Sequence, residues 1–432
     1  MTLSTDQRDF EPFYDNLQSI FEKVKNLDSA TLVREKAFNH FLELGLPQKN
    51  KGPFQYVSLG SLYKESFSVE EMSLSKETLD SYVAAESKNS YLVFINGFLQ
   101  LSLSNISALS SSLVILPLGE ALRSYGTFLQ NRWSKTLREE ADPFVALNLA
   151  LQPRGAFIYM PPKVKAASPI QCLFLTTTKD QIASPRLQLF IGSQSEINLI
   201  SSTGGAGFSN TVIDVALEER ARLSYLDTAL PYPGSEGGRS FSFLKATLKK
   251  ESYLSALSLD PRRALTRYNY HIALSGENAD ASIQGIWRLK NKQQAHVQVL
   301  MKHEAPFCRS MQKFKGVLDD LSLSSFEGKI FVTQEAQKTE AYQLNNNLIL
   351  GEYAVANSKP NLEIFADDVK ASHGCTVSQL DKEQIFYLKS RGIPESQAKD
   401  LLVQGFIGEL VEQVPYSSIK MKEAAYVKSS FL

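Results

Sequence analysis

The segment Ser372-His373-Gly374-Cys375 brings two metal-binding residue types within reach of each other. On an extended strand, residues two apart point to the same side. An imidazole and a thiolate placed that way can bind iron or zinc. Two ligands cannot close a site, so a metal at His373 and Cys375 needs further ligands from elsewhere in the chain or from another chain. Other constellations fail on composition. Thr203-Gly204-Gly205-Ala206-Gly207 lacks the Lys-Ser/Thr of a phosphate-binding loop and reads as a turn between strands. His303-Glu304 opens like a zinc-protease motif, but position 307 is Phe where the second His would stand. Ser310-Met311-Gln312-Lys313 fits S-x-x-K without its companion motifs. The acid pairs Asp319-Asp320 and Asp367-Asp368 cannot both face one site on a strand, so turns are expected there. No catalytic residue is assigned, and the chain reads as a non-enzyme.

The elements that position these residues fall into three regions: 1–150 mostly helical, 151–370 rich in short strands, and 371–432 helical. In the first, Phe13, Leu17, Ile20, Phe21 and Val24 lie at helical spacing, and a second stripe holds Phe38, Phe41, Leu42 and Leu44. Gly45 and Pro47 end that second helix. Tyr91–Ile95 reads as a strand, followed by an Asn96-Gly97 turn. Helical spacing returns from Leu118 to Trp133. From Ala156 onward come short alternating runs, among them Cys172–Thr176, Tyr253–Leu259, Tyr268–Leu274 and Lys329–Val332. Crossover helices are missing, which argues against a doubly wound fold. A sandwich, a propeller or a β-helix is left, and the loose repeat favours a solenoid. In the last region Ile385–Leu388 gives one helix. Ala398, Leu401, Leu402 and Phe406 give a second, which Gly405 and Gly408 weaken or end. These helices can cap the solenoid or dock a partner.

Composition bounds the function. The 432 residues carry 46 Lys plus Arg and 46 Asp plus Glu. This balance argues against nucleic-acid binding through a broad basic field and against a polybasic membrane surface. No apolar run approaches the roughly 20 residues of a membrane span. The opening residues lack the charged and apolar stretches of a secretory leader, so a cytoplasmic protein is expected. Three scattered cysteines make no disulfide framework.

Several blocks together carry a resemblance. They are Ser358-Lys359-Pro360-Asn361-Leu362-Glu363-Ile364, Asp367-Asp368-Val369-Lys370, Ser372-His373-Gly374, Gln384-Ile385-Phe386-Tyr387-Leu388 and Ser390-Arg391-Gly392-Ile393. Upstream, Gly328–Val332, Asp142–Asn148, Val93–Gly97 and Leu44–Pro47 agree with it. The chain resembles the SufD branch of the SufB/SufD iron–sulfur cluster assembly family over nearly its whole length.

The resemblance implies a mainly β fold, with a right-handed parallel β-helix flanked by N-terminal and C-terminal helical regions. It implies a scaffold subunit that pairs with a SufB-like subunit through the β-helix. A SufC-like ATPase would bind the C-terminal helices at Phe386, Tyr387, Leu388, Arg391, Gly392, Ile393 and Phe406. It also implies that His373 serves cluster assembly at the interface with SufB, holding iron or a nascent cluster that the isolated chain does not bind tightly. Many relatives have Cys where this chain has Ala371. Cys375 is then either a substitute or a small buried residue. An isolated chain can also form a homodimer. Two alternatives are a SufB-like subunit, which would carry E-H-E-A-T in place of S-H-G-C-T, and a β-solenoid enzyme acting on carbohydrate.

Overall fold

The computed structural model describes residues 10–48, 52–152, 155–259 and 261–429. Residues 1–9, most of the opening segment read above for a secretory leader, lie outside them. Alternating apolar residues build two ten-stranded sheets, mostly parallel, that face each other across one core. Successive strands alternate between the sheets, so the chain winds as a parallel β-solenoid of about eight turns. Register keeps like residues stacked. Ile197, Leu223, Leu254 and Ala281 form one inward column, which continues through Ser310 and Ala341 to Ala371. Each side chain therefore buries apolar surface on its neighbours in the turns before and after, as solenoids require.

The first helices form as the spacing predicts. Glu11–Val24 buries Phe13, Leu17, Ile20, Phe21 and Val24, and Thr31–Leu44 buries Phe38 and Phe41. The Phe21 and Phe38 rings stack at 4.4 Å. Leu44 is exposed and does not join the stripe. Gly45 ends this helix with φ 69°, a value that glycine reaches without strain. Helix Leu118–Glu139 extends the expected segment. Together with Pro143–Leu151 it packs on Phe157, Phe208 and Phe241, on the outside of the sheet.

The first region is not separate from the solenoid. Tyr91–Ile95 pairs in parallel with Ile170–Thr176, and Val114–Pro117 pairs antiparallel with Ala156–Met160. Asn96 and Gly97, with φ 49° and 86°, turn the chain into Phe98–Leu99. The other boundary also shifts. Strand Val369–Gln379 carries the solenoid across position 371, and the helical region begins at Lys382. Hydrogen bonding to the preceding turn overrides the weak strand propensity of Ser372-His373-Gly374.

Three helices follow: Lys382–Ser390, Glu395–Glu412 and Ser417–Ser429. The second runs through Gly405 and Gly408 without a break. Its buried face is Ala398, Val403, Ile407, Leu410 and Val411, rotated from the expected stripe, and Leu401 is exposed. The face is set by packing on Ile286, Val317 and Leu348, outside the second sheet. Glu423, on the third helix, pairs with Arg262 at 2.7 Å.

Candidate assembly site at the last turn

His373 and Cys375 sit on the final strand, Val369–Gln379, in register with Gln343 and Asn345 of Thr339–Ile349. In that preceding strand Thr339, Ala341, Gln343, Asn345 and Asn347 are the buried, inward-facing set. Parallel pairing keeps each face constant, so Ala371, His373 and Cys375 also face the core side. No further turn among the described residues covers them. His373 and Cys375 are therefore exposed, although their predecessors in the same columns are buried. The spacing argument from sequence holds: the two side chains leave one face of one strand, their Cα atoms about 7 Å apart.

Exposure separates these residues from others of their kind. Cys172 and Cys308 are buried, and desolvation raises both thiols, Cys308 to about 11. Cys308 donates to the Gly276 carbonyl at 3.2 Å. Cys375 is the exposed free thiol, which removes the reading of it as a small buried residue. His296 and His303 are held neutral mainly by burial, their pKa values lowered to about 3 and about 4. His296 Nδ1 lies 2.7 Å from Ser325 Oγ, and His303 Nε2 lies 2.8 Å from Ser310 Oγ.

The column beneath His373 turns polar toward this end. Gln343 donates to Gln312 Oε1 at 2.9 Å, and its own Oε1 has no hydrogen-bond partner among the described residues. An acceptor is thus left one strand below the imidazole, the kind of group that fixes the orientation of a ligating histidine. Among the described residues no cluster of three or more His, Cys, Asp or Glu can hold a metal. His373 and Cys375 could hold iron only as two of its ligands.

The other candidate motifs come apart in the structure. Ser310 is buried in the core, while Lys313 points outward and pairs with Glu409. His303 is buried at the end of strand Gln294–His303, while Glu304, just past it, is exposed, so the two do not face one site. Asp320 has φ 53° in a turn. Gly205, with φ 105°, sits where a Cβ would come 1.9 Å from the Thr176 carbonyl oxygen, so close backbone approach explains the glycine run.

The proposed docking residues divide. Helix Lys382–Ser390 buries none of its residues, and Asp381 caps it by accepting from the Glu383 amide at 2.8 Å. Phe386 is 73% exposed and Tyr387 57%. The Arg391 guanidinium lies 5.2 Å from the Tyr387 ring centre. Gly392, with φ 84°, makes the turn, and Leu388 and Ile393 are half-buried, joined by an Ile393 amide to Leu388 carbonyl bond. Phe406 instead faces its own protein. Lys315 donates to its carbonyl at 2.7 Å and lies 5.1 Å from its ring centre. It packs against the cluster that anchors the helix, so it does not share the exposed face.

Sequence reasoning missed the residues that fix these helices. Lys313 and Lys315 both reach Glu409, and Glu86 of the first region accepts from the amide and hydroxyl of Ser418. Their separations in sequence are too large for spacing to signal them.

Family models agree with this geometry. Residues 5–172 match the SufBD protein N-terminal region, and residues 174–406 match the SufBD core domain of the SUF system of FeS cluster assembly. An iron-sulfur cluster assembly SufBD family protein of Synechocystis is 28% identical, over 94% of this chain and 92% of its own. Iron-sulfur cluster assembly protein SufD of Escherichia coli is 31% identical, over 56% of this chain and 57% of its own. A SufBD family protein of Mycobacterium leprae is 28% identical, over 61% of this chain and 69% of its own. With its solenoid matched over more than half its length and its first region matched as well, the chain belongs to the SufBD family of iron–sulfur cluster assembly proteins.

Proposed function

We propose that the chain is a SufD-like scaffold subunit of a SufBCD-type assembly complex. The uncovered last turn carries this reading, because it presents His373 and Cys375 together on a face that the solenoid leaves open. A SufB-like subunit that covers this turn would supply the missing ligands and shield the nascent cluster from water. The exposed helix Lys382–Ser390 and its turn, with Phe386, Tyr387, Arg391 and Ile393, would receive a SufC-like ATPase. ATP chemistry then belongs to that partner, and this chain contributes position and ligands without catalysing a reaction of its own. Assembly of this kind is placed in the cytoplasm. No described helix is long and apolar enough to cross a membrane.

The test is co-expression of the tagged chain with SufB-like and SufC-like proteins. Retention of both on the tag is the expected result. Loss of both, with or without a homodimer on the tag, would sink the scaffold reading.

A further inference from the structure

A cleft of about 320 Å³ lies on the opposite sheet, away from the last turn and the C-terminal helices. One wall is helix Leu118–Glu139 with Arg132 and Lys135. The floor is the outer face of strands Arg239–Leu248, Leu265–Leu274 and Gln294–His303. Register concentrates cations there. Lys245 is the cross-strand neighbour of His271, and Ala273, two residues along the same face, neighbours Lys302. Arg132 is matched by Asp214 at 2.8 Å. Lys135, Lys245 and Lys302 make no ion pair or hydrogen bond among the described residues. Glu139 and Glu304 lie at the exposed rim together with Lys135 and Lys302, and solvent screens all four, whereas Lys245 is half-buried.

At the inner end stands Glu140, only 5% exposed. Its Oε1 accepts from the amides of Ala141 and Asp142, and its Oε2 has no hydrogen-bond partner among the described residues. An unpaired buried oxygen at the end of a cleft lined by Lys135, Lys245 and Lys302 is costly unless something fills the cleft. Burial, and then Asp142, raise the Glu140 carboxyl toward its neutral form, while Lys245 opposes this. Burial, followed by Lys245, lowers the pKa of His271 to about 4, so its ring is a neutral donor and acceptor.

We propose that this cleft binds a phosphate group, carried by a small phosphomonoester. A phosphate offers acceptor oxygens to Lys135, Lys245 and Lys302. The Glu140 carboxyl, pushed toward its neutral form, donates to a further phosphate oxygen, and the three terminal oxygens of a phosphomonoester meet more of these donors than the two of a carboxylate. The volume exceeds that of one tetrahedral ion, and Leu300 and Ala273 give the remainder an apolar floor suited to a short organic tail.

The experiment is calorimetric titration of the full chain at fixed ionic strength, with glycerol 3-phosphate in one arm and inorganic phosphate in the other. Saturable binding, weakened at least tenfold by Lys245→Gln or Lys302→Gln and unchanged by Lys290→Gln on another surface, is expected. The tighter arm identifies the source of the phosphate group. Neither lysine holds a structural partner, so both variants should keep the parent's melting midpoint. Absence of saturable binding up to millimolar ligand in both arms would overturn the site. Equal binding by the parent and both lysine variants would do the same.

Discussion

At the scale of single residues, position in the stack decides character. His296, His303 and His373 are the same amino acid, yet burial makes the first two neutral packing groups while the third meets solvent at the end of its column. His373→Ala should leave complex formation intact and lower the yield of assembled cluster several-fold, read from the visible absorbance of the purified complex. Unchanged yield would remove His373 from the assembly step. Asp227 provides a second case. It is buried in the core, accepts from Tyr225 at 2.7 Å and Ser242 at 3.1 Å, and desolvation raises its pKa to about 6. A carboxyl whose folded pKa is raised favours folding below the unfolded value near 4, and that contribution is lost as pH rises through about 6. Asp227→Asn should therefore stabilise the chain at pH 7.5, by at most about 3 kcal/mol, with the gain shrinking toward pH 4.5. Melting curves at the two pH values check the sign.

At the scale of elements, the C-terminal helices separate anchor from display. Helix Glu395–Glu412 is fixed by buried aliphatic residues and by Lys313 and Lys315, whereas Lys382–Ser390 is carried on it with its aromatic residues outward. Tyr387→Asp should cut retention of the SufC-like partner while moving stability by no more than about 0.5 kcal/mol. Phe406→Asp should lower stability by about 1–3 kcal/mol, because it breaks packing within the chain. If Tyr387→Asp retained the partner fully, that residue would lie outside the contact. The sequence made much of this legible. Helices with a periodic apolar face were readable, as was the strand-rich middle. The last three strands were not, because Asn345-Asn346-Asn347, Lys359-Pro360-Asn361 and Ser372-His373-Gly374 have poor strand propensity and are held by pairing with the turn before. The same pairing hid the fact that His373 belongs to the solenoid rather than to the helical region. The pair His373 and Cys375 was legible from spacing alone. The Glu409, Glu86 and cleft contacts were not, because they join residues far apart in the chain.

At the scale of the whole molecule, burial of histidine sets the response to acid. His271, His296 and His303 all have lowered pKa values in the folded state, between about 3 and about 4. Stability from such groups is present above the unfolded value near 6.5 and is lost as pH falls toward the folded values. The net effect should be a melting midpoint that declines from pH 7 to pH 4.5, against the smaller opposing trend of Asp227. A flat profile would mean that these rings are solvated. The two free edges of the last turn also differ. Val355–Ile364 contains Pro360, which has no N–H to donate, while Val369–Gln379 has no proline. A stack of like turns has no inherent length limit, because each end offers unpaired strand edges. With one rim short of a donor and the other complete, the two rims offer an added strand unequal ladders, so a further turn would be held more tightly on one side than on the other.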